Sequence, residues 1–412
     1  MKCGLLGRRL GHSYSPQIHG YLADYSYELF EKEPEQVGDF LKHGDFSAIN
    51  VTIPYKKDVI PYLAALSPRA AQLGSVNTIV RRPDGTLIGH NTDFFGFEMM
   101  LRASGLAVSG KKVLVLGSGG ASVTIVAVLK EAGANVVVIS RSGPDNYGNL
   151  DRHRDAGAIV NTTPVGMYPN TGASPIDLDL FPHLEGVLDI IFNPARTQLL
   201  LDAEEKGLVT MNGLLMLVAQ AKESSEWFTG AAISDEKIAE IHGELRRQME
   251  NIILIGMPGC GKSTVGQALA QKLGKKFVDA DAAIIEKAGK PIPEIFAESG
   301  EVGFRAIETE VLAELGRQSG LVIATGGGCV TQPRNYPLLH QNGTILWLKR
   351  DLEKLPTDGR PLSQANKLSD MYAIREPMYR QFADAVIDNN GNIESAVKAI
   401  GDCHTSVRTG SQ

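Results

Sequence analysis

The stretch from Asn251 to Thr264, NIILIGMPGCGKST, decides the fold of the second half of the chain. A short apolar strand, NIILI, runs into a loop with glycines at 256, 259 and 261, and the helical run STVGQALAQKLG follows. Gly256-x-x-x-x-Gly261-Lys262-Ser263 matches the phosphate-binding P-loop pattern in full, in the strand–loop–helix setting that the motif requires. Its glycines let backbone N–H groups turn toward phosphate oxygens. Lys262 brings charge to the β and γ phosphates, and the Ser263 hydroxyl is a candidate Mg²⁺ ligand. A different glycine-rich turn, Gly117-Ser-Gly-Gly-Ala-Ser122, lies upstream, also after a strand-like run, KKVLVLG at 111–117.

The rest of the chain sets the frame around these two loops. Its 412 residues predict two to four domains, each with its own core. Hydrophobic content of 43% and charged content of 21% are ordinary for a soluble globular protein. A net charge of -6 carries no polyanion signature, so nucleic acid is not an expected partner. The four cysteines, Cys3, Cys260, Cys329 and Cys403, show no zinc or disulfide spacing, and a reduced, cytoplasmic setting is the simpler expectation. The N-terminus has no long apolar region, and no apolar run reaches the ~18 residues needed to span a bilayer, so no signal peptide and no membrane association are expected.

Solid apolar runs recur between helical patterns: NVVVIS at 135–140, GVLDIIF at 186–192, LVIATGGG at 321–328 and GTILWLK at 343–349. They predict an α/β protein with parallel sheets covered on both faces. The main boundary is expected at the charged helical stretch ELRRQME, 244–250, with a short or helical connection and no Gly/Ser linker. A second junction is expected near 105–111, GLAVSGKK.

Downstream of the P-loop, the strand KKFVD leads to Asp279-Ala-Asp281, read as two carboxylates on the same side of a strand end, one for Mg²⁺ and one for a hydroxylated substrate. Arg305 and Glu308 stand one helical turn apart, as in an ordinary surface ion pair. Gly326, Gly327 and Gly328 end a strand, where no packing need is evident and close approach of a ligand is expected. TDGRPLS carries Arg360 in a Gly/Pro loop, and REPMY carries Arg375 on a helix.

In order, DAD, GEVGFRAIE, GGG, GRPLS and REPMYRQFAD make residues 250–405 resemble the shikimate kinases, a P-loop fold related to the nucleoside monophosphate kinases. The resemblance implies ATP on Gly259, Cys260, Gly261, Lys262, Ser263 and Thr264, with Arg360 arriving from a lid. It implies Mg²⁺ at Ser263 and Asp279, and shikimate on Asp281, Arg305, Gly327 and Arg375. Catalysis would rest on positioning and charge stabilisation by Lys262, with Asp281 beside the attacking hydroxyl. The lid segment is shorter and more acidic than is usual in that family.

In the first half, the turn at 117–122 is weak evidence alone, because Ser122 replaces the third glycine and a generic βα turn fits equally well. The strand after it ends in Ser140, Arg141 and Ser142, with no carboxylate, which favours the 2′-phosphate of NADP over a free ribose. Further upstream, LGHSYSPQIHG offers Ser13 and Ser15 before Pro16, in an N-cap setting. Thr52 and Lys56 end a strand, and Asn77, Asn91 and Asp93 follow. A Lys56–Asp93 couple in a cleft would be a proton donor and its tuner, although a KK pair such as Lys56-Lys57 is more often solvated surface.

HSYSPQIH, NVTIPYK, SVNT, NTD, GSGGAS, NTTPVGM and NGLLMLVAQA, in this order, make residues 1–247 resemble the shikimate dehydrogenases. That likeness implies a substrate domain over 1–105 and 213–247 and a Rossmann-type NADP domain over 106–212. It implies 3-dehydroshikimate on Ser13, Ser15, Thr52, Lys56, Asn77, Asp93 and Gln220, with Lys56 and Asp93 as the acid/base couple. NADPH would lie along Gly117, Gly119, Gly120, Ala121, Ser140, Arg141, Thr162 and Gly213. Three departures stand out: Gly20 in place of Asn, Phe192 in place of a hydroxyl-bearing Tyr, and a compressed segment between SRSG and NTTP. The expected whole is a bifunctional enzyme of chorismate biosynthesis that makes shikimate and then phosphorylates it. The alternatives are one catalytically impaired half, or a quinate/shikimate dehydrogenase that prefers NAD.

Overall fold

The computed structural model describes residues 1–11, 13–355 and 368–406. The chain separates into two compact units, residues 1–192 with 197–245, and 246 onward with the short segment 193–196. The helix Glu236–Met249 is followed after one residue by the first strand of the second unit, so the chain passes on without a flexible linker.

The first unit holds two sheets. Six strands, β1 (Lys2–Gly7), β2 (Ser26–Glu31), β3 (Ala48–Val51), β4 (Ala65–Leu66), β5 (Thr78–Arg81) and β6 (Leu87–His90), order as β2-β1-β3-β5-β6-β4. This sheet is mixed rather than parallel, because β5 runs antiparallel to both β3 and β6. The cause is a hairpin: Arg82 N–H bonds Thr86 C=O, and Gly85 takes φ 85°, in the Pro-Asp-Gly turn between β5 and β6.

The second sheet, β7 (Lys112–Leu116), β8 (Asn135–Ile139), β9 (Ala158–Asn161), β10 (Gly186–Asp189) and β11 (Val209–Met211), is parallel throughout in the order β11-β10-β9-β7-β8. The run Val113-Leu-Val-Leu116 is apolar at every position because both faces are covered. Val113 and Val115 pack into one core, Leu114 and Leu116 into another. The compressed segment leaves only a short 3₁₀ turn, Leu150–His153, between β8 and β9.

The second unit is built on one parallel sheet: β12 (Asn251–Ile255), β13 (Lys276–Asp279), β14 (Leu321–Ala324), β15 (Gly343–Lys349) and β16 (Ala385–Asp388), ordered β13-β14-β12-β15-β16. Ile252 to Ile255 are fully buried at its centre. At roughly 1.5–3 kcal/mol for each large side chain buried, this strand anchors the loop that follows it. The chain's two tryptophans fall one to each unit. Trp227 is 46% exposed and stacks on His90 at 3.7 Å, whereas Trp347 is 1% exposed and stacks on Tyr379 at 5.7 Å.

Candidate active sites

In the first unit, Lys56 lies in the turn after β3, and Asp93 opens the helix Asp93–Ser104. Lys56 Nζ reaches Asp93 Oδ2 at 2.6 Å, with the two side chains 15% and 10% exposed. The pair is therefore a sheltered couple, not the solvated surface lysine that the KK dipeptide suggests. Asn77 joins it: its Nδ2 donates to Thr92 Oγ1 at 3.0 Å and approaches Gln220 Oε1 at 3.5 Å. Gln220 sits on the helix Leu214–Thr229, which packs so tightly on the Asp93 helix that a Cβ at Gly96 would lie 2.7 Å from Met216 C=O.

The serine pair is arranged differently from a simple cap. Tyr14, not a serine, is the N-cap of the helix Ser15–Leu22, and it makes no side-chain cap bond. Ser13 Oγ instead accepts the Ser15 N–H at 3.2 Å. Thr52 follows β3 directly, its N–H on Leu6 C=O at 2.9 Å. Phe192 meets Tyr14 edge-on at 5.8 Å, so the ring that replaces a tyrosine does face the serine segment. Gly20 has open space where a Cβ would lie, and Asn91 is drawn into structural bonds with Ser75 C=O and the Phe94 N–H.

Beneath these residues runs a buried ladder that sequence reading missed. Ser224 Oγ lies 2.8 to 2.9 Å from Asn50 Nδ2, Thr78 Oγ1, Thr92 Oγ1 and the Gln220 carbonyl. Tyr27 donates to Asn50 Oδ1 at 2.7 Å. The ladder ties β3, β5 and both helices together and so fixes Asn77 and Gln220. The available signal was Ser224 one helical turn after Gln220. His19, also buried here, has its Nδ1 against Tyr25 Oη at 2.6 Å, and burial pushes its pKa down to about 3.

The dinucleotide candidates gather at the C-terminal end of the parallel sheet. Gly117 takes φ 101°, and Gly119 caps the helix Gly120–Glu131, which also carries Ala121. Open space lies where Cβ atoms of Gly119 and Gly120 would be, a cradle that any larger residue would fill. Thr162 Oγ1 donates to Leu116 C=O at 2.7 Å, beside Gly117. Gly213 caps the Leu214 helix with its Cβ direction closed by the Ile190 carbonyl, a packing requirement. Ser140 and Arg141 follow β8 as expected. A carboxylate does come near them: Asp145 C=O accepts the Ser140 N–H at 3.1 Å, and its side chain is held by His153 Nε2 at 3.0 Å.

In the second unit a cavity of 820 Å³ is lined by the P-loop on one side and by Asp281, Arg305, Glu308, Gly327 and Arg375 on the other. Gly259 and Gly261 take φ 82° and 99°, the left-handed turns that open the loop. Lys262 is 8% exposed and bonds Gly256 C=O at 2.9 Å and Met257 C=O at 3.1 Å. Ser263 and Thr264 line the cavity, but Cys260 is fully buried, and its carbonyl accepts from Asn389 Nδ2 at 2.6 Å. Ser263 Oγ donates to Asp279 Oδ2 at 2.6 Å. Among the described residues no group of three His, Cys, Asp or Glu side chains is placed to hold a metal alone. A hydroxyl and one carboxylate fit Mg²⁺, which keeps most of its shell as water and phosphate oxygen.

Three expectations need correction. Asp279 and Asp281 are not paired on a strand: the strand ends at Asp279, which caps the helix Ala280–Ala288, and Asp281 lies in its first turn. Both still face the cavity. Arg305 and Glu308 are not a surface pair. Their guanidinium–carboxylate contact of 2.8 Å has side chains 5% and 0% exposed, within a helix broken at Gly300 by φ 65°. Burial raises the Glu308 pKa despite the arginine beside it. The three glycines do have a packing cause, since Cβ atoms there would meet Glu308 and Asp281, Pro258, and Arg305 respectively. Arg375 Nη1 and the Tyr379 hydroxyl both donate to Gly327 C=O. Tyr379, four residues past Arg375 on one helix, was in the quoted motif and went unread. Arg360 and its lid segment lie outside the described residues.

The first unit thus has the build of a dinucleotide-dependent oxidoreductase, and the second that of a P-loop phosphotransferase. Comparison with known proteins gives both halves a family. Residues 5–79 match the family model "Shikimate dehydrogenase substrate binding domain", and residues 258–404 match "Shikimate kinase". Shikimate dehydrogenase (NADP(+)) of Clostridium perfringens (strain 13 / Type A) is 35% identical over 265 residues, 59% of this chain and 97% of that protein. A solved chorismate mutase/shikimate 5-dehydrogenase fusion protein from Clostridium acetobutylicum is 34% identical, with TM-score 0.56, over 59% of this chain and 96% of that one. The shikimate 5-dehydrogenase of Thermus thermophilus, solved with NADP(H) and shikimate, is 32% identical, with TM-score 0.54, over 59% and 99%. The chain belongs to the shikimate dehydrogenase family and continues into a shikimate kinase domain.

Proposed function

We propose that the chain runs two consecutive reactions at two separate sites: NADPH-dependent reduction of 3-dehydroshikimate, then MgATP-dependent phosphorylation of shikimate at its 3-hydroxyl. The observation that carries this reading is that each unit holds a full set of candidate groups by itself: the Lys56–Asp93 couple with Asn77 and Gln220 in one, and the P-loop with the two cavity arginines in the other. NADPH, when bound along the 117–120 turn, supplies the hydride. Lys56 donates its proton to the C3 oxygen, and Asp93 holds the ammonium in place and tunes it. Ser13, Ser15, Thr52, Asn77 and Gln220 would fix the ring, and Arg141 would select the 2′-phosphate.

In the kinase domain, Arg305 and Arg375 clamp the shikimate carboxylate with planar forks, and Gly327 lies between them and the P-loop. Asp281 orients the attacking hydroxyl. Lys262 would turn from its loop carbonyls to the phosphates, and Ser263 with Asp279 would hold Mg²⁺. On this reading the division at 1–105 with 213–247, 106–212 and 250–405 is functional, and the partners are small molecules in the cytoplasm, with neither nucleic acid nor membrane involved. Among the described residues no helix is long and apolar enough to cross a membrane. The test is a steady-state assay of each half-reaction on one sample. Both activities are expected, and shikimate binding with no NADPH oxidation and no ADP formation would sink the proposal.

A further inference from the structure

Glu223 lies three residues past Gln220 on the Leu214–Thr229 helix, and the reduction described above makes no use of it. Its Oε2 is buried and makes no hydrogen bond among the described residues. The adjacent cation, Lys222, is committed elsewhere: its Nζ lies 2.9 Å from both Glu226 Oε1 and Asp235 Oδ1. The charges that reach Glu223 are Lys222 and Glu226 on its own helix and Glu98 and Asp93 on the helix packed against it. That packing is close, since a Cβ at Gly96 would lie 3.0 Å from Gln220 Cβ. Asp93 is the residue that holds Lys56. Burial, with Glu226 next, raises the Glu223 pKa to about 7, so its charge changes within the working range of an enzyme.

We propose that Glu223 is a positioning residue of the reductase, acting through Asp93, and that its charge state sets how firmly the couple holds the Lys56 proton. Ionised Glu223 adds its charge to that of Asp93, and Lys56 releases its proton less readily; neutral Glu223 relaxes that hold. Charge therefore accumulates behind the donor as the pH rises, which keeps Lys56 protonated further into alkali. The proposal rests on Lys56 being the proton donor.

The test is Glu223→Gln in the full chain, with kcat/KM for 3-dehydroshikimate reduction measured from pH 7 to 10. The alkaline limb should move to lower pH by about half a unit, an interaction expected between charges roughly 10 Å apart at high effective dielectric. That corresponds to about threefold lower kcat/KM beyond the limb. A profile superimposable on that of the wild type would overturn the proposal, because a merely structural glutamate would change level or stability but not the limb. If the Gln variant does not fold, judged by NADP binding, Glu223→Asp carries the same test: a smaller shift in the same direction supports it, and no shift overturns it. Failure of the underlying reading is distinguishable, since Lys56→Ala would then keep its reductase activity.

Discussion

Lys56 and Lys262 are both sheltered lysines in loops that follow a parallel-bonded strand, yet the two units hold them in opposite ways. Lys56 is paired with a carboxylate at 2.6 Å, whereas Lys262 rests on two backbone carbonyls of its own loop. A carboxylate partner tunes a proton that must leave; carbonyl partners let a permanent charge swing to a new anion. The difference separates a lysine that exchanges a proton from one that only carries charge.

The sharpest way to break that contrast is to remove each lysine in turn. Lys56→Ala should lower the reductase kcat about 10³–10⁴-fold and leave phosphorylation intact, and Lys262→Ala should do the reverse. Loss of both activities from either variant, measured by coupled assay, would end the two-site picture. Next in size is the buried pair of the kinase domain. Arg305→Ala leaves Glu308 in the core without its main partner and should cost that domain about 3 kcal/mol in urea unfolding, besides raising KM for shikimate. A stability unchanged within error would mean that Glu308 is already neutral there.

His19 gives the dehydrogenase half a matching test of burial. Its folded pKa, about 3, lies below the ordinary value of about 6.5. Unfolded chains therefore take up a proton that the native state refuses, and stability is lost as pH falls below about 6.5, by roughly 2 kcal/mol at pH 5. Glu223 and Asp189, whose pKa values burial raises to about 7 and about 6, act with the opposite sign. The comparison must therefore be with His19→Gln: its penalty at pH 7.5 should shrink by about 2 kcal/mol at pH 5, and a constant penalty would exclude the mechanism. The smallest expected effect is at Phe192. Restoring a hydroxyl with Phe192→Tyr should lower KM for 3-dehydroshikimate by an amount worth about 0.5–1.5 kcal/mol. No change would show that the ring seated against Tyr14 does not reach the substrate.

What the sequence made legible was whatever depends on local order. The strand–loop–helix around Gly256 and Lys262, the fully apolar strands and the helical junction before Asn251 all follow from short spacings. The mixed first sheet was missed although its Pro-Asp-Gly turn was in plain view, because the apolar runs alone read as parallel. Partnerships between distant segments were out of reach. Nothing near Ser224 announces Asn50 or Thr78, and nothing in Gly326 to Gly328 announces that Arg305, Glu308 and Pro258 crowd them. Burial is a property of the fold, so a pair such as Arg305–Glu308 looks like surface until the helix is placed.

The two indoles make the chain its own double-channel optical probe. Trp227, half wet and stacked on an imidazole whose pKa burial lowers to about 4, should emit to the red and respond only in strong acid. Trp347, dry against Tyr379, should emit to the blue until its own sheet opens. An unlabelled sample would thus report, in two colours, which enzyme melts first.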